Sequence, residues 1–186
     1  MRYLTKQRRT LLILIAITAY ILPVRAQDNL RRYIQMNLSG DYKHINYPDG
    51  TAASIGYAAS IEYIDNHFLI AAGFENGIRN KSMEQYNTLL TAKTGYVFYA
   101  DKFHLTPFIK AGWFMDVRKT RYSDITAGYH QFLCGAGVEG TWLATPLIWI
   151  TASAQFIKTS LSGNGFTFCL GIIIPMFEFD RKNKYL

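Results

Sequence analysis

The chain has 186 residues, enough for one domain. Charged residues make up 18% of it, below the roughly 25% of soluble domains, whereas aromatic residues make up 15%. The formal net charge is +7, but five basic residues and no acidic ones precede residue 27, and without those five the charge is +2. This excludes the clustered basic surface of a nucleic-acid-binding domain.

Residues 1–26 have the three parts of a secretory signal peptide. A basic start is followed by a mostly apolar run, Leu11–Leu22, and the short segment Val24–Ala26 then precedes Gln27. As a helix the apolar run would be only about 18 Å long, short of the ~30 Å hydrocarbon core of a bilayer. We predict cleavage after residue 26 and a mature domain over 27–186; an uncleaved N-terminal anchor is the alternative.

Eight segments of the mature chain alternate apolar and small or polar residues with a period of two, which predicts β-strands. They cover about 33–44, 53–64, 68–78, 88–100, 103–117, 129–143, 147–157 and 165–177. No segment has a convincing helical period. The predicted fold is therefore all-β.

The fifth segment shows most clearly how the two faces differ in polarity. Ile109 and Trp113 lie on an almost wholly apolar face, whereas Lys110 and Asp116 share the other face with Gly112. Such a strand suits a wall that has lipid outside and a narrow polar lumen inside. We therefore predict an eight-stranded antiparallel up-and-down transmembrane β-barrel.

The connections between the predicted strands alternate in length. Longer polar loops follow the first, third, fifth and seventh strands, and the longest of them is Arg118–Gly128. Shorter connections follow the second, fourth and sixth strands. Outer-membrane barrels combine short periplasmic turns with long extracellular loops in this way.

Alternation alone also fits a soluble barrel of the lipocalin or avidin type, or a β-sandwich, both of which bury the apolar face. Two features favour lipid outside. The polar face is rich in glycine, alanine and serine, which suit the crowded inside of a narrow barrel. The apolar face carries aromatic residues near its ends, as expected of interface girdles.

The segment Pro107–Trp113, with Gly135 and Gly137 and the closing strand Gly165–Ile172, resembles the small outer-membrane barrels of the OmpX and OmpA-transmembrane type. The likeness is greatest to the loosely related barrels of Bacteroidota, and TraO of conjugative elements is one subgroup of similar length. The resemblance implies a place in the cell outer membrane, contact with its lipids and insertion by the barrel-assembly machinery. One departure is that Asp180–Leu186 follows the aromatic end of the last strand.

Eight charged residues fall on the predicted inner face. They are Asp41, Lys43, Glu62, Glu75, Lys93, Lys110, Asp116 and Glu139. Heights counted from the turns predict a structural lumen network of Glu75, Lys93, Lys110 and Glu139, because buried charges are costly unless they are paired. A narrow ion path through the lumen is the functional alternative.

No pattern predicts a metal site, a cofactor or a catalytic group. The histidines lie near strand ends at irregular spacing and are expected to be solvated. They are His44, His67, His104 and His130. Cys134 and Cys169 fall on opposite faces of the wall, which predicts two free thiols.

We therefore expect a non-enzymatic outer-membrane barrel with a structural, adhesive or assembly-accessory role and a protein partner at its extracellular loops. Three alternatives remain open. An outer-membrane lipid-modifying enzyme would use loop-side groups such as His44, Ser123, Asp124 and His130. The others are a soluble periplasmic ligand-binding barrel and an accessory protein of conjugative transfer.

Overall fold

A computed structural model describes residues 32–47, 50–79, 85–119, 126–160 and 163–179. The predicted signal peptide, residues 1–26, lies outside these ranges. Within them, no helix has the length and apolar character needed to cross a membrane.

Nine strands make up most of the described chain. They are β1 (Arg32–Tyr47), β2 (Gly50–Asp65), β3 (Phe68–Arg79), β4 (Gln85–Tyr96), β5 (Phe98–Ala100), β6 (Phe103–Lys119), β7 (Thr126–Trp142), β8 (Trp149–Thr159) and β9 (Asn164–Phe179). Strands β4 and β5 both pair with β6 and are separated only by Val97. They therefore form one strand of an eight-stranded wall.

Each wall strand pairs antiparallel with the next in sequence, and β9 pairs with β1 to close the ring. Following paired residues once around the ring from Gln35 leads back to β1 at Ile45, a stagger of ten residues. Eight strands with this stagger tilt by roughly 40° and enclose a barrel of about 8 Å radius. The predicted fold class, a closed eight-stranded antiparallel barrel, is confirmed.

The apolar face of the wall points outward. Ile109 and Trp113 are 62% and 55% exposed, whereas Lys110 between them is 9% exposed and faces the lumen. The same alternation holds on β8, where Ala152, Ala154 and Phe156 are exposed and the residues between them are partly or fully buried. The two faces are thus disposed as the sequence predicts.

Two layers of apolar side chains lie inside the barrel. The first is near the end that carries Arg32, Phe179 and the connections 66–67, 101–102 and 143–148, here called the terminal end; it contains Tyr33, Ile64, Leu69, Ala71 and Val97, with Tyr99 and Trp149 packed against it. The second is nearer the opposite end, here called the loop end; it contains Ile45, Leu89, Leu133 and Ile157. The charged lumen residues lie between the two layers.

The strands are longer than predicted, and the loops are correspondingly shorter. Residues 48–49 alone separate β1 from β2, and the predicted loop Arg118–Gly128 shrinks to 120–125. At the terminal end, by contrast, 143–148 is as long as any loop-end connection. The predicted length asymmetry therefore fails at 48–49 and at 143–148 and holds for the other five connections. At 48–49 it fails because the antiparallel backbone pairing of β1 and β2 continues through polar residues beyond the apolar band.

Two irregularities interrupt the wall at the terminal end. Val97 leaves the strand ladder, and its amide donates instead to the carbonyl oxygen of His67 at 2.6 Å. In β9, Met176 is an extra residue between the partners of Ile34 and Gln35, next to Pro175. A proline cannot donate to a strand ladder and is therefore tolerated at such a bulge.

Candidate functional site

The first of two ion clusters in the lumen is centred on Lys93. Its ammonium lies 2.7 Å from Glu62 Oε1 and 3.2 Å from Glu139 Oε2. It also lies 5.3 Å from the centre of the Phe108 ring, within reach of a cation–π contact. One lysine thus pairs with carboxylates from two strands that do not neighbour each other.

Glu62 receives further hydrogen bonds in this cluster. Gln35 Nε2 donates to it at 2.5 Å, Ser60 Oγ at 3.2 Å and Asn37 Nδ2 at 3.3 Å. Asn37 Nδ2 also lies 3.4 Å from Glu139 Oε2. Because its carboxylate is completely buried, Glu62 depends on these donors to replace water.

The second ion cluster lies nearer the loop end. Lys43 Nζ is 2.7 Å from Asp41 Oδ2 and 2.7 Å from Glu75 Oε2. Lys110 Nζ pairs with the other oxygen of Glu75, Oε1. Two ammonium groups and two carboxylates therefore balance in charge.

The structure divides the four predicted network residues between these clusters. Lys93 lies with Glu139, and Lys110 lies with Glu75, whereas the recorded ion pairs do not join Glu75 to Lys93. The set Glu75, Lys93, Lys110 and Glu139 also omits Glu62, the nearer partner of Lys93.

Alternation already placed the omitted partners Asp41, Lys43 and Glu62 on the inner face. Their heights depend on the stagger of the barrel, which alternation does not give. The side chain of Asp116 lies outside the described part of the structure.

The lumen has little room for a ligand. The cavity bounded by the two clusters is about 50 Å³, enough for a few water molecules. Small-molecule sites usually occupy about 300–1,000 Å³. With an apolar layer on either side of it, this lumen is filled by its own side chains.

The groups suggested for lipid chemistry do not form a described catalytic site. Ser123 and Asp124 lie outside the described residues. His130 is on the outer face, where Trp113 Nε1 donates to its Nδ1 at 3.2 Å. No cluster of three or more metal-ligating side chains occurs in the described ranges.

His104 corrects the expectation that all four histidines are solvated. It is buried and contacts the rings of Tyr99 and Trp149, with centroids 4.6 Å and 5.9 Å away. Its inward position follows from strand alternation on β6, where His104 has the same parity as Lys110.

Both cysteines are free thiols in the structure. Cys134 is exposed on the outer face, whereas Cys169 borders the lumen cavity. The wall between the two faces keeps the sulfurs apart.

The outer wall carries two rings of exposed aromatic residues. The ring near the terminal end includes Tyr63, Phe68, Tyr96, Phe103 and Trp142, and the ring near the loop end includes Tyr42, Tyr57, Trp113, Phe132, Phe156 and Phe166. On β6 the rings are separated by the distance from Phe103 to Trp113, about 25 Å along the axis from strand rise and tilt. This matches the height of the apolar band on outer-membrane barrels.

Comparison with solved structures shows the same fold in small outer-membrane barrels. Neisserial surface protein A is 12% identical, with a TM-score of 0.64 over 78% of this chain and 97% of that one. Ail of Yersinia pestis, solved with the heparin analogue sucrose octasulfate, is 14% identical, with a TM-score of 0.55 over 80% and 99%. The N-terminal barrel domain of Pseudomonas aeruginosa OprF is 16% identical, with a TM-score of 0.50 over 78% and 99%.

No protein-family model matches the sequence, and neither does any curated protein. The likeness to the three barrels is therefore one of fold.

Proposed function

We propose that this chain is an integral outer-membrane β-barrel without enzymatic activity, and that it acts as a closed scaffold for its loop-end hairpins. One observation carries the proposal: the wall is apolar outside and charged inside. A soluble barrel with these faces would expose residues such as Ile55 and Leu170 to water and would bury six charged side chains among the described residues. In a bilayer both faces have a suitable environment.

The filled lumen supports a structural role rather than transport. Both ion clusters are held by direct contacts, and apolar layers lie above and below them. An ion crossing the barrel would have to displace both layers and break these pairs. Purified protein in planar bilayers is therefore expected to give no stepwise conductance, and regular single-channel steps would contradict the closed lumen.

We propose further that the β6–β7 hairpin mediates attachment at the cell surface. Its strands have 17 residues each, and their pairing continues to Lys119 and Thr126, beyond the aromatic ring near the loop end. The sequence between the strands adds Arg121 to Arg118 and Lys119. A basic tip suits polyanionic partners, and the Ail structure with a heparin analogue offers a precedent on the same fold.

Cell fractionation tests the membrane proposal. The protein should be found in the outer membrane and should migrate differently on gels before and after heating, because a closed barrel resists detergent. Protease added to whole cells should cut within 120–125 and leave the barrel protected. Recovery in the soluble periplasm would refute the proposal and favour a secreted carrier.

A polyanion-binding assay tests the attachment proposal separately. Heparin should bind cells that express the protein and should bind less to cells with Arg118, Lys119 and Arg121 changed to serine. The same triple change at Arg79, Lys81 and Lys158, which lie in or beside the other loop-end connections, is the control. Equal binding by both variants would refute attachment through this hairpin without affecting the membrane assignment.

The roles in conjugative transfer and in assembly of other proteins stay predictions. So does recognition by the barrel-assembly machinery.

A further inference from the structure

The wall has a lateral notch at its terminal end. Strand β8 begins at Trp149, which pairs with Ile173, but β9 continues to Phe179. The last six residues of β9 therefore have no partner in β8, whereas on the other side all of them except the bulged Met176 pair with β1. The connection 143–148 lies across the resulting gap.

The notch encloses a cavity of about 230 Å³. Aromatic residues from four strands form its inner wall: Tyr33, Tyr99, His104 and Trp149. Tyr33 and Trp149 meet edge to face with centroids 5.7 Å apart, and the other pairs described above continue the contact. These mutual contacts hold the rings in place around the cavity.

The sides of the notch are apolar and face outward. Leu147, on the connection, is 74% exposed, and Phe177, on β9, is 60% exposed. Met176 and Pro146 complete these sides. All four residues lie near the level of the aromatic ring at the terminal end, where a bilayer passes from acyl chains to headgroups.

Two kinds of polar group border the notch: a carboxylate and the backbone amides of a strand edge. Among the residues that the structure describes, Glu178 provides the only carboxylate of the lining, and none of them contributes a lysine or arginine to it. The free edge of β9 offers backbone amide donors to which β8 supplies no acceptor. A ligand with one cationic and one anionic group fits this arrangement.

We propose that the notch binds the amine headgroup of a phospholipid, such as an ethanolamine phospholipid, in the bilayer leaflet at the terminal end. The ammonium would lie against the aromatic wall, held by cation–π attraction and by Glu178. The phosphate would accept hydrogen bonds from the edge amides of β9, and the acyl chains would extend along Leu147 and Phe177. This inference rests on the proposed membrane location.

Native mass spectrometry of the full-length refolded barrel in detergent micelles tests the proposal. The barrel is mixed with equal amounts of ethanolamine and glycerol phospholipids that carry the same short acyl chains. We expect one ethanolamine phospholipid to be retained with about a tenfold preference. Glu178→Gln should reduce the preference, and Glu178→Lys should reverse it in favour of the anionic glycerol lipid.

Two controls separate the possible failures. Asp101→Asn changes an exposed carboxylate at the same end but outside the notch, and it should leave the preference unchanged. Heat-modifiable migration of every variant shows whether the barrel has folded. A folded barrel that retains both lipids equally would overturn this inference while leaving the membrane barrel intact.

The basic side chains in the sequence after β9 are an alternative to the lipid amine as the cation that binds in the notch. If the ethanolamine preference appears only after Arg181, Lys182 and Lys184 are changed to serine, the notch is occupied by residues 180–186, and the lipid proposal is wrong. A preference that is equal in this variant and in the wild type supports it.

Discussion

The inner and outer faces of the same wall differ in what they tolerate. Gly40 and Gly56 lie close together on the paired strands β1 and β2 but point to opposite faces. A β-carbon added at Gly40 would have no neighbour closer than 3.8 Å, whereas one at Gly56 would lie 2.1 Å from the backbone oxygen of Asn76. Substitutions that face the lumen are thus restricted by space and charge, whereas substitutions on the outer face are restricted only by the surrounding medium.

This comparison can be tested by changing one face at a time. The largest effect is expected from Lys93→Met, because Glu62 and Glu139 would lose the ammonium that they share. Breaking a buried ion pair typically costs about 3–5 kcal/mol. Urea unfolding of the barrel in lipid vesicles would measure the loss.

The matched control for Lys93 is Lys158→Met. Lys158 is exposed on the outer face and makes no ion pair among those described. Its replacement should change the unfolding free energy by no more than about 0.5 kcal/mol. Equal effects at the two lysines would mean that the first cluster does not stabilise the barrel.

A charge placed on the outer face should have the next largest effect. Ile109→Lys puts an ammonium near the middle of the apolar band, at a cost of about 2–4 kcal/mol. Asn164→Lys, exposed near the loop end, should cost at most about 1 kcal/mol. Vesicle unfolding curves that do not differ between these variants would argue against lipid contact at Ile109.

Lys110→Met should lower the unfolding free energy less than Lys93→Met, which compares the two ion clusters of the lumen. After the change, Glu75 keeps Lys43 at 2.7 Å, so no carboxylate loses every cationic partner. We expect a loss of about 2 kcal/mol, the value of a hydrogen bond to a charged group. If Lys110→Met lowered the unfolding free energy more than Lys93→Met in the same assay, the second cluster would stabilise the barrel more than the first.

The smallest effect is expected from a glycine substitution that changes only the space available to a side chain. Gly56→Ala should destabilise the barrel by about 1–2 kcal/mol, since overpacking forces the strands apart. Gly40→Ala should be close to neutral. Thermal unfolding of the two variants in the same detergent compares them directly, and equal midpoints would show that the inner wall can relax freely.

The sequence predicts the faces of this barrel well, because the face of a strand residue depends only on whether its position is odd or even. This parity predicts opposite faces for Lys110 and Ile109, and the structure confirms the prediction. Strand ends were harder to predict. Polar residues such as Arg118 and Lys119 read as loop but continue the backbone ladder of β6.

The contacts in the lumen could not be predicted from alternation, because height depends on stagger. Each step to the next strand along paired residues rises by a little more than one residue, and this accumulates to ten around the ring. Counting from turns therefore grouped Glu75 with Lys93 and missed Glu62. The notch was also missed, since it results from β8 starting late relative to β9.

The most direct test of the orientation uses one label in the middle of the outer wall. Ala136→Cys, in a chain with Cys134→Ser and Cys169→Ser, places a fluorophore on an exposed residue that pairs with Ile109. In vesicles its emission should be quenched strongly by nitroxides on lipid chains and weakly by aqueous iodide. Strong quenching by iodide together with none by the lipid nitroxides would contradict a barrel whose apolar face meets the membrane.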